Sequence, residues 1–314
     1  MPRRFDVVAY LKLFRFPLVF TAIADSAAGR LLVSSDLGTA GPSLGLLALA
    51  SAGLYFFGMS LNDIADRSRD QELAPGRMLP SGRLSLGAAR AACFIALGLS
   101  LVSILLIRES PLPQRLATWS LVVFFICAYN LFLKQPPVMG LVRACNLLLG
   151  ISAALQLEAA RTSWPNLVGV LFPTFIYVTA LTYVSTLEEG TPPRRHLAAG
   201  AAFMGVGAGL SVFISPLAEH LRFYNSENPI VIFGTGGSRG GAVLFAAALS
   251  TGIAVRAWKA VDKKGVMLLV RDGVGGIILL DAALLSSYEL RSAALIAGLV
   301  VPAIASVAIF KKLS

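Results

Sequence analysis

Apolar stretches long enough to cross a bilayer recur along this chain, at about residues 9–33, 43–61, 85–107, 116–134, 139–160, 165–187, 197–217, 240–259, 266–286 and 291–310. A helix needs roughly 20 such residues to span the hydrocarbon core. The series therefore predicts an all-α fold, a polytopic membrane helical bundle of nine or ten transmembrane helices. The stretch at 266–286 is the most polar of them, with Arg271, Asp272 and Asp281 inside it. Composition agrees, since 56% of the 314 residues are hydrophobic, 14% are charged and the mean hydropathy is +0.74, outside the range of soluble globular domains. No long polar linker or low-complexity tract interrupts the series, so residues 1–314 are expected to form a single integral-membrane domain.

The first segment, MPRRFDVVAYLKLFRFP, carries Lys12, Arg15 and Pro17 within what would be the apolar core of a signal peptide, so it is expected to stay as a helix. With the N-terminus inside, most of the 27 Lys and Arg residues fall on inner loops and helix ends. That orientation, in a bacterial inner membrane, turns two charged loops towards the cytoplasm, one at about 62–85 and one at about 188–196. The net charge of +10 then follows from positive-inside sorting and attraction to anionic membrane lipids, and no nucleic acid is expected as a partner. Cys93, Cys127 and Cys145 sit singly in apolar segments, which suggests neither a disulfide framework nor a zinc site. The glycine run GTGGSRGG, residues 234–241, lacks the Lys-Ser/Thr ending of a phosphate loop and is expected to be a turn on the outer face.

The most informative stretch is LNDIADRSRD, Leu61 to Asp70, where an apolar helix ends. Asn62, Asp66 and Asp70 are spaced i, i+4, i+8, and Asp63 lies three residues before Asp66, so a helix gathers four oxygen ligands on one face. Three stacked carboxylates repel one another unless cations neutralise them. Oxygen ligands without His or Cys favour a hard ion such as Mg²⁺, which keeps some waters and bridges to substrate phosphates. The competing account is a solvated helix end with local ion pairs.

NDIADRSRD followed by GRMLPSGRLS, Gly76 to Ser85, resembles the UbiA superfamily of intramembrane prenyltransferases, whose first aspartate motif precedes a loop of the form R-x-L-P-S-G-R. YNLFLK, Tyr129 to Lys134, and the following PPVMGLVRACNLLLG are similar to that family's fourth and fifth helices. The resemblance implies about nine helices around a lipid-open cavity in which aspartate-held Mg²⁺ grips a prenyl diphosphate. Loss of pyrophosphate leaves an allylic cation, which a small aromatic or otherwise lipophilic acceptor attacks. On this sequence it assigns Asn62, Asp63, Asp66 and Asp70 to the metal, and Arg77, Arg83 and Lys134 to the diphosphate. Asp63, Asp66, Asp70 and Lys134 would carry catalysis, and Tyr129, Arg143 and Asn146 would wall the pocket. Arg77 and Arg83 read equally as inner-face topology markers, Lys134 as a snorkelling span end and Tyr129 as an interfacial anchor. Asn146 lies deeper, where polar side chains are functional or pair helices.

The family's second aspartate motif, D-x-x-x-D, is replaced by LTYVSTLEEGTPPRRH, Leu181 to His196, which has no aspartate. Ser185 and Glu188 are the substitutes on offer, with Thr182 one turn back, and two full metal sites are not expected. This form is similar to the divergent EboC-like branch of the superfamily. The expected function is Mg²⁺-dependent prenyl transfer from a prenyl diphosphate within the membrane. The alternative is a catalytically weak or inactive relative that binds or helps export a lipophilic metabolite. Asp272 and Asp281 are further candidates as intramembrane carboxylates, with Arg271 as a partner near the inner face.

Overall fold

The computed structural model describes residues 6–33, 37–155, 164–189, 193–213, 239–286 and 290–313. Its helices are α1 (Val7–Leu13), α2 (Val19–Val33), α3 (Leu37–Ala65), α4 (Arg67–Leu73), α5 (Leu86–Leu106), α6 (Leu112–Cys127), α7 (Pro136–Ser152), α8 (Trp164–Ser185), α9 (Arg194–Phe213), α10 (Arg239–Lys259), α11 (Lys263–Ser286), α12 (Leu290–Gly298) and α13 (Val300–Leu313). No strand occurs among the described residues. Eight helical segments are long and apolar enough to cross a membrane, α7 is a shorter apolar helix, and α11 is a 24-residue helix that carries the charges noted above. The chain is a multi-pass integral membrane protein.

Three expected spans are interrupted, each for a local reason. The first does not run from residue 9. Asp6 caps α1 by accepting from the Ala9 N–H at 3.1 Å, and the chain then turns at Arg15, whose φ of 44° puts a non-glycine residue in the left-handed region. Pro17 follows in a short 3₁₀ turn, Phe16–Leu18, and α2 begins at Val19. The fourth span ends in a π-helical turn, Ala128–Phe132. The last is divided at Leu299 between α12 and α13.

Helices α2, α7 and α11 lie at the centre, and α2 is buried along 13 of its 15 residues. Exposed apolar side chains are carried by the outer helices: Phe94, Ile95 and Leu99 on α5, Phe203 on α9, Leu244 on α10, and Val301 and Ile304 on α13. This outward-facing grease is what lipid contact requires, since a monomer in water rarely exposes so much. Cys93 and Cys145 are buried and Cys127 is partly buried, and all three are free thiols.

The α2–α7 crossing decides where the site forms. A Cβ at Gly150 would meet Ser26 O and lie 2.9 Å from Arg30 N, and one at Gly29 would meet Leu147 O and lie 2.9 Å from Ile151 N. Only glycine at both positions lets the two backbones touch, the small-residue packing that serves helices in lipid. One turn from this contact, Asp25 on α2 is brought against Arg143 and Asn146 on α7.

Candidate active site

The LNDIADRSRD motif occupies the end of α3, a kink and the start of α4. Asp66 has φ −84° and ψ 1° and separates the two helices, yet the hydrogen-bond ladder runs through it: the Asp66 N–H donates to Asn62 O at 2.9 Å and the Asp70 N–H to Asp66 O at 2.8 Å. The i, i+4, i+8 register is kept, but the three carboxylates do not converge. Asp63 pairs with Arg15 at 3.2 Å, Asp70 with Arg77 at 2.6 Å, and Asp66 with the Lys134 ammonium. The expected single ladder of four ligands is therefore a row of three separate acid–base pairs. Repulsion among the acids is relieved by bases from three different places: the turn before α2, the loop after α4 and the end of the π-helical turn.

Each base is held by its surroundings. Phe56 on α3 stacks on Phe14 with centroids 4.6 Å apart and on Phe16 at 6.2 Å, which clasps the Arg15 corner. The loop carrying Arg77 folds onto α1 and α5 through buried Met78, Leu79 and Leu84, packed with Ala9, Leu13, Ala89 and Ala92. Its turn needs Gly82, whose φ is +68°. The fold directs Arg77 inward to Asp70 and leaves Arg83 exposed, with no ion pair among the described residues. Arg77 thus joins the motif through Asp70.

Beside the pairs lies a cavity of about 190 Å³. Arg15, Tyr55, Asn62 and Tyr129 line it at the motif end, and Ser51, Arg143 and Asn146 line it deeper in the bundle. Ser51 precedes Asn62 by three helical turns, which sets the two ends roughly 16 Å apart along α3. The π-helical turn places Tyr129 and Asn130 on the wall, and Asn130 Nδ2 donates to Ile126 O at 2.8 Å.

The deep end is a polar cluster in an apolar bundle. Arg143 Nη2 donates to Thr21 O at 2.7 Å and to Asp25 Oδ1 at 3.0 Å, and Nε lies 2.9 Å from Asp25 Oδ2 but off the hydrogen-bond direction. Asn146 Nδ2 donates to Ala22 O at 2.8 Å and to Asp25 Oδ2 at 3.2 Å, and its Oδ1 accepts from Ser51 Oγ at 2.8 Å. Asp25 and Asp281 are both 0% exposed. The expected partner Arg271 pairs with Asp272, at 2.8 Å, which Arg256 also meets at 2.5 Å.

Of the second-motif substitutes, Ser185 spends its hydroxyl on Thr182 O at 2.7 Å, and Glu188 lies in the 3₁₀ turn Thr186–Glu189. Residues 190–192, and most of the outer glycine run at 234–241, lie outside the described residues. No three His, Cys, Asp or Glu side chains converge as a metal cage among the described residues, so Glu188 is not gathered with Asp66 and Asp70. The donor set suits Mg²⁺ in a looser form. Asn62 and the aspartates offer only hard oxygens, and Mg²⁺ is commonly held by one or two carboxylates together with substrate phosphates and water. Sequence reasoning passed over Arg15, Asp25, Ser51 and Tyr55; for Asp25 the signal was available, a carboxylate within an apolar span.

No protein-family model matches the sequence, and no curated protein matches it in sequence. Solved structures do match in fold. A UbiA homologue from Aeropyrum pernix superposes with a TM-score of 0.60 at 17% identity, covering 85% of this chain and 96% of that one. A digeranylgeranylglyceryl phosphate synthase gives 0.56 at 18% identity, covering 90% and 98%. A UbiA homologue from Archaeoglobus fulgidus, solved with GPP and Mg²⁺, gives 0.56 at 14% identity, covering 88% and 99%. The chain has the fold of the UbiA prenyltransferases.

Proposed function

We propose that this protein transfers a prenyl group from a prenyl diphosphate to a small lipophilic, aromatic acceptor inside the membrane, with Mg²⁺. The observation that carries the reading is the row of acid–base pairs, Asp63 with Arg15, Asp66 with Lys134 and Asp70 with Arg77, at the end of a cavity lined by Asn62. The likeness of fold to a homologue solved with GPP and Mg²⁺ supports it. Asn62, Asp63, Asp66 and Asp70 would hold the metal. Bound there, Mg²⁺ would offset the negative charge that builds on the departing diphosphate.

The chain's own groups account for the rest. Lys134 and Arg77 already stand beside the motif and can donate to diphosphate oxygens once the aspartates turn to the metal. Tyr55 and Tyr129 line the cavity, where the π-electrons of their rings can attract an allylic cation. The enclosing helices keep water from that cation. The motif face is assigned to the cytoplasm of a bacterial inner membrane because the basic residues gather there.

The test is Mg²⁺-dependent pyrophosphate release from a panel of prenyl diphosphates by the purified protein, with Asp66→Ala alongside. Release that is lost in the variant supports the reading. Asp66-dependent binding without release favours a carrier of lipophilic metabolites, a reading supported by the absence of a second aspartate pair between Leu181 and His196.

A further inference from the structure

At the deep end of the cavity the donors can be counted. Both Asn146 Nδ2 hydrogens are engaged, by Ala22 O and Asp25 Oδ2, and the Ser51 proton is given to Asn146 Oδ1. Arg143 uses Nη2 on Thr21 O and Asp25. Its Nη1 makes no hydrogen bond among the described residues, and Arg143 lines the cavity. The two N–H groups of Arg143 Nη1 therefore remain for a ligand oxygen.

The charges can be counted as well. Among the described residues Arg143 is the one cation in the cluster, and Asp25 already compensates it. Asp281 lies against Asp25 from α11, fully enclosed, and neither of its oxygens meets a hydrogen-bond donor among the described residues. Two ionised carboxylates facing each other are both acceptors and repel. A single proton between them turns the contact into a hydrogen bond and removes a buried charge that nothing else neutralises. With that proton in place the cluster is electrically neutral. A carboxylate arriving at Arg143 would add an uncompensated negative charge deep in an apolar bundle, whereas a hydroxyl or carbonyl oxygen adds none.

We propose that the inner end of the cavity, floored by Ser51, Arg143 and Asn146, is the acceptor site, and that it takes an uncharged aromatic acceptor through a hydroxyl or carbonyl oxygen rather than a carboxylate. The proposal rests on the prenyl-transfer reading for the word acceptor, but its chemistry is that of the pocket alone.

Two one-ring probes separate the classes: hydroquinone, which is neutral, and 4-hydroxybenzoate, which has the same ring and hydroxyl plus a carboxylate. Binding of each to the full-length protein in detergent is measured by calorimetry, without prenyl diphosphate. Hydroquinone is expected to bind at least about tenfold more tightly than 4-hydroxybenzoate, and Arg143→Gln is expected to lose it. Equal or tighter binding of 4-hydroxybenzoate overturns the proposal. Asp281→Asn mimics a protonated carboxyl in shape. It is expected to remove a protonated-acid C=O band from the infrared spectrum and to leave 4-hydroxybenzoate binding weak. If 4-hydroxybenzoate instead binds about tenfold more tightly to this variant, the pair was ionised and the proposal fails. Should this variant not fold, the two probes on the unaltered protein still decide. Hydroquinone binding without pyrophosphate release would leave the pocket chemistry standing and sink the prenyl-transfer reading. Release combined with a preference for 4-hydroxybenzoate would do the reverse.

Discussion

Adding one methyl group at Gly150 tests whether the α2–α7 contact holds the site together. The new Cβ would stand 2.9 Å from Arg30 N and closer still to Ser26 O, so the helices must separate by well over the 0.5 Å that would restore 3.4 Å to Arg30 N alone. Overpacking of this kind costs about 1–3 kcal/mol. The same separation stretches Arg143 Nη2 to Thr21 O, now 2.7 Å, and Asn146 Nδ2 to Ala22 O, now 2.8 Å, with about 0.5–1.5 kcal/mol at stake in each. A total near 3 kcal/mol corresponds to a fall in Tm of roughly 6–12 °C, read by thermal unfolding of Gly150→Ala in detergent. Gly98→Ala on α5 is the control, because a Cβ there meets nothing within 4 Å. It should be neutral or slightly stabilising through its gain in helix propensity. A Tm for Gly150→Ala within 2 °C of the control would refute the argument that this crossing is held closed by glycine.

Three further outcomes follow from the ion pairs. Asp66→Ala and Lys134→Ala should each reduce pyrophosphate release by about 100-fold or more, and the double variant should fall well short of the product of the two, since the residues act as a unit; independent effects would separate Lys134 from the motif. Arg15→Ala and Arg15→Gly both strand Asp63, which is 6% exposed, but glycine relieves the left-handed backbone, so Arg15→Gly should be about 1 kcal/mol more stable in denaturant unfolding. Arg30→Met removes a buried guanidinium from Glu109 at 2.8 Å and Ser43 at 3.0 Å; because Glu109 stays one-third exposed, the loss should be about 1–2 kcal/mol rather than the 3–5 of a fully buried pair, seen as a lower Tm without loss of pyrophosphate release.

The bundle was legible in the sequence because bilayer thickness sets helix length, and runs of Leu, Val and Ala advertise it. Its interruptions were not. Pro17 signalled a break, but the left-handed turn at Arg15 is imposed by tertiary packing of Phe14 and Phe16 on Phe56, which no local pattern encodes. The spacing of Asn62, Asp66 and Asp70 gave the helical register correctly. It could not say where the carboxylates would find partners, because Arg15 and Lys134 lie 48 and 68 residues away along the chain. Asp281 and Asn146 were visible as polar residues in apolar spans. That they gather with Asp25 and Arg143 depends on glycines 29 and 150, which look in sequence like any other small residues of a membrane helix.

The two acid–base groups solve one electrostatic problem in different ways. At the motif each carboxylate has its own base, and the bases are 36–40% exposed on their side chains. Water and salt screen such pairs, so each is weak and exchangeable. That suits a site whose aspartates must release their bases to take a metal and whose bases must then turn to phosphate. Deep in the bundle Asp25 has no exposure and Arg143 very little, so exchange there would strand a charge in apolar surroundings. The deep cluster is therefore fixed where the motif is labile. A prenyl donor arriving at the motif would rearrange its pairs while the floor beneath the acceptor stays in place, so loss of Asp66 should leave hydroquinone binding intact and loss of Arg143 should leave prenyl diphosphate binding intact.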